Sequence, residues 1–248
     1  MMVLRALCRL SAQGGEARKD DLAMQGKAVA LQLLKSLLGH ISDYRNASVP
    51  VLMGLRQHLC LALLHNCLTP VPAIYSLVCD IFQNLVLRFR SILKTELGIF
   101  FPLIALRPLE MIIDPSKYAG AVSAVAESVQ RQRVDLSLKM LLELCKEPQV
   151  LVDLYVNYDC DMEAANLFER TLLTLVDLLQ KSPGVTPSSE GSLHLSGVRH
   201  TVQCLHKALS SLHTWASYTD PAEEACVEGP GAESKSESQE VETLKAAK

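Results

Sequence analysis

Aromatic side chains are scarce in this sequence. They make up 5% of its 248 residues, and Trp215 is the one Trp. Leu, Ala and Val supply the apolar share instead, a composition suited to helices packing on helices. Sustained period-two alternation is missing, and no Asn-Gly pair marks a tight hairpin, so a sheet has no basis. Strong net charge is absent as well. The 24 basic and 27 acidic residues leave −3, which gives nucleic acid no bulk attraction to this chain. The eight cysteines form no Cys-x-x-Cys pair and no metal-ligand spacing. A free thiol on an apolar helical face behaves as a small hydrophobe, and a reducing, cytosolic compartment is the natural reading. No Gly-rich phosphate cradle, catalytic triad or metal cluster is legible, so no cofactor and no metal are expected. The most apolar stretch, Leu97–Ile113, is shorter than a membrane span and carries Arg107 and Glu110. Arg5 and Arg9 interrupt the N-terminal MMVLRALCRLS, which therefore lacks the apolar run of a signal peptide.

Helical periodicity, by contrast, runs through most of the chain. After an N-terminal helix, Leu22–Ile41 reads as a helix closed by Gly39 and the polar run from Ser42. The next, Pro50–Asn66, turns Leu52, Leu55, Leu59 and Ala62 inward. A long helix from the Pro70/Pro72 turn to Thr95 buries Ile74, Leu77, Ile81, Leu85 and Ile92. Its far end shows Arg88, Arg90 and Lys94, either a solvated basic face or a docking patch for an acidic partner or anionic lipid. Leu97–Ile113 is expected to be a buried helix kinked or broken by Pro102 and Pro108. Val122–Cys145 is a further helix, and Ser182–Ser196 a Pro/Gly/Ser loop. The last helix, Gly197–Tyr218, places Val198, Val202, Leu205, Leu209, Leu212 and Ala216 at spacings of four and three, a close-packed seam with Trp215 half-buried beside it.

From Thr219 the composition changes. Residues 219–248 hold eight acidic and three basic residues and little to bury, so this acidic tail is expected to be disordered. The chain thus divides into a helical domain, residues 1–218, and a tail, 219–248. About nine helices joined by short turns imply an all-α stack, and helical pairs of roughly forty residues resemble the HEAT/armadillo plan.

The stretch with distinctive chemistry is Pro148–Lys181, two helices hinged at Asn157-Tyr158-Asp159-Cys160-Asp161. Pro148 suits a first helical turn. Val150, Leu151, Leu154 and Tyr158 fall on one face of the first helix, and Phe168, Leu172, Leu175 and Leu179 on one stripe of the second. Asp161 is the expected N-cap of that second helix, with Glu163 in its first turn. Alternating Asp159, Asp161 and Glu163 also imitate a calcium loop. An EF-hand counted from Asp159 would need Gly where Ala164 stands and Glu where Arg170 stands, so that reading fails. Capping and inter-helix hydrogen bonding is the better account, with the Asn157 amide expected to bridge the two helices.

YVNYDCDMEAANLFER, Tyr155 to Arg170, resembles the conserved box of the HUS domain, the homology region upstream of the catalytic domain, in the large brefeldin-A-inhibited type of Arf guanine nucleotide exchange factor. LRALCRLS near the N-terminus, KAVALQLLKSLL at Lys27–Leu38, LRQHLCLALLHN at Leu55–Asn66 and QCLHKALSSLHTWA at Gln203–Ala216 are similar to the same domain in the same order. The resemblance covers roughly residues 3–218. It implies an armadillo-like α-solenoid that binds the dimerisation domain preceding it in the family. It further implies a scaffold for Arf exchange factors on Golgi or endosomal membranes, with Arf-family GTPases and Golgi membrane proteins as further partners. Because the match begins almost at Met1, the segment that precedes the domain in the family is expected to be absent. The catalytic exchange domain has no counterpart either, so this chain is not expected to exchange nucleotide. Asn157, Tyr158, Asp159, Cys160 and Asp161, with Asn166, are the expected protein-interaction residues. They either hold the two helices at a fixed angle or dock a neighbouring domain. A related Golgi scaffold without an exchange domain, and an unrelated armadillo/HEAT adaptor, are the alternatives.

Overall fold

Prolines open three of the helices. Pro50, Pro72 and Pro148 each stand at the first or second helical position, where a missing N–H costs nothing. The computed structural model describes residues 2–13, 21–41, 48–118, 127–181 and 195–218. Among these the fold is all-α, with nine helices and no strand. They are α1 (Met2–Ala12), α2 (Asp21–His40), α3 (49–67), α4 (Pro72–Phe89), α5 (94–113), α6 (Glu127–Cys145), α7 (148–159), α8 (Leu167–Gln180) and α9 (Leu195–Tyr218). A short 3-10 turn, Pro115–Tyr118, follows α5. The expected tail, 219–248, lies outside the described residues, as do the loop 182–194 and Val122 and Val125.

Alternate helices share a layer. α2, α4, α6 and α9 pack side by side in that order, while α1, α3, α5 and α8 form the second layer against them. The strict alternation runs through α6; α7 then packs on both α8 and α9. One continuous core runs from Leu4 and Cys8 of α1 to Cys204 of α9, with Tyr75, Phe82, Phe89 and Phe101 as its largest fully buried side chains.

Three helices contain a π turn, at Leu55–Leu59 in α3, Pro102–Leu106 in α5 and Tyr155–Asp159 in α7. The one in α5 corrects an expectation. Pro102 and Pro108 do not break the helix; the π turn absorbs them. The α-helical donor to the Ile104 carbonyl would be residue 108, which as proline has no N–H. Tyr75 supplies the missing donor, its hydroxyl giving a 2.6 Å hydrogen bond to Ile104 O and lying 2.7 Å from Ser137 Oγ. Over the Tyr75 ring, 4.7 Å from its centroid, lies the buried Arg133 guanidinium, which donates to Cys67 O at the end of α3. The helix C-terminus and the aromatic face together compensate that buried charge.

Several registers differ from the sequence reading. The long helix stops at Phe89, not Thr95, and a turn at Arg90–Leu93 separates it from α5. The α9 core stripe is Gly197, Thr201, Cys204, Ala208 and Ser211, one position before the expected seam, whose Val202 and Leu209 are exposed. Trp215 is half-buried as expected. In α8 the buried stripe is Leu167, Thr171, Thr174, Leu175 and Leu178, with Phe168, Leu172 and Leu179 only half-buried. Small side chains and hydroxyls that bond their own helix let backbones approach closely. Thr171 Oγ1 donates to Leu167 O and Thr201 Oγ1 to Gly197 O. Hydrophobic periodicity is blind to such stripes.

Candidate functional site

The box is built on the π turn that ends α7. Cys160 N–H donates to Tyr155 O, five residues back, and the widened turn sets the directions of the side chains it carries. Tyr158 points inward. Its hydroxyl donates to Lys94 O (2.7 Å) at the start of α5, and its ring lies on Gly98, where a Cβ would come within 3.4 Å of the ring. Burial pushes its phenol up to about 12, so it stays a donor. Val150, Leu151 and Leu154 are buried on the same helix, as the periodicity requires.

Asp159 does what the sequence assigned to Asp161. Its Oδ2 accepts from Phe168 N–H (2.9 Å) and its Oδ1 from Glu169 N–H (2.8 Å). Both carboxylate oxygens thus satisfy free donors of the first turn of α8, across a loop of several residues. Helix α8 begins at Leu167, and Asn166 holds the N-cap position without a side-chain cap of its own. The Asn166 amide donates instead to Glu169 Oε2 (2.9 Å). Asp161 lies before the loop rather than at the cap. Its Oδ1 accepts from Glu163 N–H (3.1 Å) and its Oδ2 from Lys94 Nζ (2.8 Å). Those interactions, Lys94 foremost, hold its carboxyl below the usual range. The Asn157 amide does not bridge the helices. It donates to Asp153 O (2.8 Å) within α7. Cys160 is exposed, in contrast to Cys8, Cys60, Cys67, Cys79, Cys145 and Cys204, which are buried.

The six sequence-derived residues are therefore brought together, but the cluster is wider than they are. Lys94 is held at both ends, its carbonyl by Tyr158 and its ammonium by Asp161. Arg90 Nε donates to Asp153 Oδ2, and Arg170 makes a two-pronged bridge to Glu110 through Nε–Oε1 (2.7 Å) and Nη2–Oε2 (2.9 Å). Arg88 donates to the carbonyls of Leu38, Gly39 and Ile41 at the end of α2. The basic run Arg88, Arg90, Lys94 is thus not a free face, because each cation is engaged by a distant segment of the chain. Arg88 ties α4 to the end of α2, Arg90 ties the turn after α4 to α7, and Lys94 ties α5 to the loop before α8. The only local signal for them was that basic run; their partners lie 45 or more residues away in sequence.

Beside the brace a groove of about 420 Å³ opens, lined by Lys94, Gly98, Ile99, Asp161, Glu163 and Ala165, with Ile99 57% exposed. Among the described residues no group of His, Cys, Asp or Glu could hold a metal ion, and no helix is long and apolar enough to cross a membrane. Burial raises the thiols of Cys8, Cys60, Cys145 and Cys204, which makes them poor nucleophiles. The arrangement can brace helices and present a surface.

A layered helical scaffold with a braced hinge is the class these features define. Residues 1–167 match the family model described as Mon2/Sec7/BIG1-like, HUS domain. The chain is 36% identical over 221 residues to brefeldin A-inhibited guanine nucleotide-exchange protein 3 of Arabidopsis thaliana, covering 87% of this chain and 12% of the relative. Protein 1 of the same name from Arabidopsis thaliana is 34% identical over 222 residues, 86% of this chain and 12% of its own. The Homo sapiens protein 1 is 29% identical over 254 residues, 98% of this chain and 13% of its own. The chain belongs to the Sec7-like HUS domain family. It spans about an eighth of the length of these relatives.

Proposed function

We propose that this chain is the non-catalytic regulatory module of an Arf guanine nucleotide exchange factor, serving vesicle traffic at Golgi, trans-Golgi or endosomal membranes. Residues 1–218 act as the helical module and 219–248 as an acidic linker. It works by binding: to the dimerisation domain that precedes the module in the family, and through the assembled factor to Arf-family GTPases and Golgi membrane proteins. Attachment to the membrane is peripheral, and no nucleic acid is involved. Support for the exchange-factor reading comes from the names of the three relatives given above, each a guanine nucleotide-exchange protein. The related non-catalytic Golgi scaffold family is the second reading, because the matching description spans it too.

The observation that carries the binding role is the contrast between the two sides of the box. Asp159 and Tyr158 turn inward as the brace, while Ile99, Asp161 and Glu163 line an open groove that the brace holds in shape. In this reading Asp161, Cys160 and Asn166 stand at the contact surface, and Asn157, Tyr158 and Asp159 position it. Titration of the isolated dimerisation domain against the full chain tests it. The substitution pair Ile99→Glu and Glu163→Lys should weaken binding at least tenfold, about 1.4 kcal/mol, with an unchanged melting curve. Unaltered affinity would remove the groove from the interface.

A further inference from the structure

Helix α9 is amphipathic twice over. One stripe, Gly197, Thr201, Cys204, Ala208 and Ser211, faces the core, with Cys204 Sγ donating to Leu138 O (3.4 Å) and Ser211 Oγ to Cys145 O (2.7 Å). These small residues bring α9 close against α6. The adjacent stripe, Val198, Val202, Leu205, Leu209, Leu212 and Ala216, keeps the 4-3-4-3-4 spacing of a coiled-coil seam; Leu205 and Leu212 pack partly against the core, while no described helix covers Val202 and Leu209. Leu212 is half-buried with Phe168 and Leu172 around Cys145, Leu151 and Ala208, which forms the floor. Val202 and Leu209 stand clear, 50% and 70% exposed. Scattered exposed leucines are ordinary. A heptad row along a 24-residue helix, joined through Phe168 to the exposed Tyr155 ring 5.7 Å from it, is a continuous apolar strip.

The ionisable side chains along the strip are basic in type. The helix contains no Asp or Glu, and Arg199, His206 and His213 recur every seven residues on the outer edge of the seam. All three are exposed, and their side chains have no partner among the described residues. These are the flanking positions that choose a coiled-coil partner by charge. A second copy of α9 is a poor match. Antiparallel pairing would set the Arg199, His206 and His213 rows against each other, and parallel pairing would need Thr201, Ala208 and Trp215, which sit on the core side. We infer that α9 and the adjoining edge of α8 form a docking groove for an amphipathic helix of a partner polypeptide, apolar at every third and fourth position and flanked by carboxylates.

The test uses the full chain and a labelled three-heptad peptide with Leu at both seam positions and Glu at both flanking positions. Its like charges keep it from pairing with itself. The control peptide carries Lys in place of Glu. Fluorescence anisotropy should show the Glu peptide binding at least tenfold tighter than the Lys peptide, with affinity falling as salt rises. Val202→Glu with Leu209→Glu should abolish binding without changing helical content or melting, since both positions are exposed. Replacing Arg199, His206 and His213 by Glu should reverse the preference toward the Lys peptide. Equal binding of the two peptides, or of neither, overturns the proposal. So does loss of folding in the Val202/Leu209 variant, which would mean the face is internal. Binding seen only after residues 219–248 are removed would assign the groove to the chain's own acidic tail. A concentration-dependent dimer abolished by Leu209→Glu would assign it to a second copy.

Discussion

Two aspartates two positions apart do different work. Asp159 uses both oxygens on N–H groups of α8, whereas Asp161 uses one on the Glu163 N–H and one on Lys94. Asn retains one acceptor oxygen, so Asp159→Asn loses one of two capping bonds and sets an amide N–H₂ against an N–H. We expect a stability loss of about 1–2 kcal/mol, the range of a lost cap, read from denaturant unfolding. Asp161→Asn keeps its turn and should leave the melting curve near neutral pH almost unmoved. The carboxyl of Asp161 sits below its ordinary value in the fold, so its contribution is present above the unfolded carboxylate range and fades as pH falls through the depressed value. Any gap between wild type and Asp161→Asn should therefore close on acidification, and a gap that widens would contradict the Lys94 pairing. At this scale the sequence located the chemistry and confused the roles. Composition marks which residues can cap, but the loop of residues 160–166 decides which aspartate reaches the helix, and loop path has no periodic signature.

At the scale of elements, helix positions were legible and helix rotations were not. Leu22–Ile41, Pro50–Asn66 and Gly197–Tyr218 lie within two residues of α2, α3 and α9. The buried stripes of α8 and α9 lie one position away from those expected, because Thr, Ser, Cys and Gly pack there in place of Leu and Val. The π turns were invisible for a related reason: a single extra residue in a turn changes no composition. Two of them can be probed by their tertiary partners. Tyr75→Phe removes the hydroxyl donor to the Ile104 carbonyl, which position 108, a proline, cannot replace, and should cost about 1–3 kcal/mol. Gly98 faces the Tyr158 ring at contact distance. Gly98→Ala should be tolerated, as the gain in helix propensity of roughly 0.5–1 kcal/mol offsets a tight contact. Gly98→Leu should drive the ring off α5, break the bond to Lys94 O and destabilise by about 1–3 kcal/mol. Thermal melts of the three variants check these values, and equal effects of Ala and Leu would show that the ring does not rest on Gly98.

At the scale of the molecule one continuous core joins the described helices. Among the described residues its buried members run from Leu4 of α1 to Cys204 of α9. Residues 219–248 bring eight acidic side chains and few apolar ones, a composition with little to add to a core. A chain ending at Tyr218 should accordingly keep the helical content, the melting temperature and the single cooperative transition of the full chain. Protease at low ratio should trim the full chain to a fragment that ends near Tyr218. The transition should be single because α1 and α9 share that one core, even though a layered array allows local opening in principle. Calorimetry on both chains, with mass spectrometry of the trimmed product, measures each point. A drop of several degrees on truncation would mean that the tail packs against the helices. In that event the outer row of Arg199, His206 and His213 is where its carboxylates would be sought, and replacing those three side chains by Glu should then lower the melting temperature of the full chain but not of the truncated one.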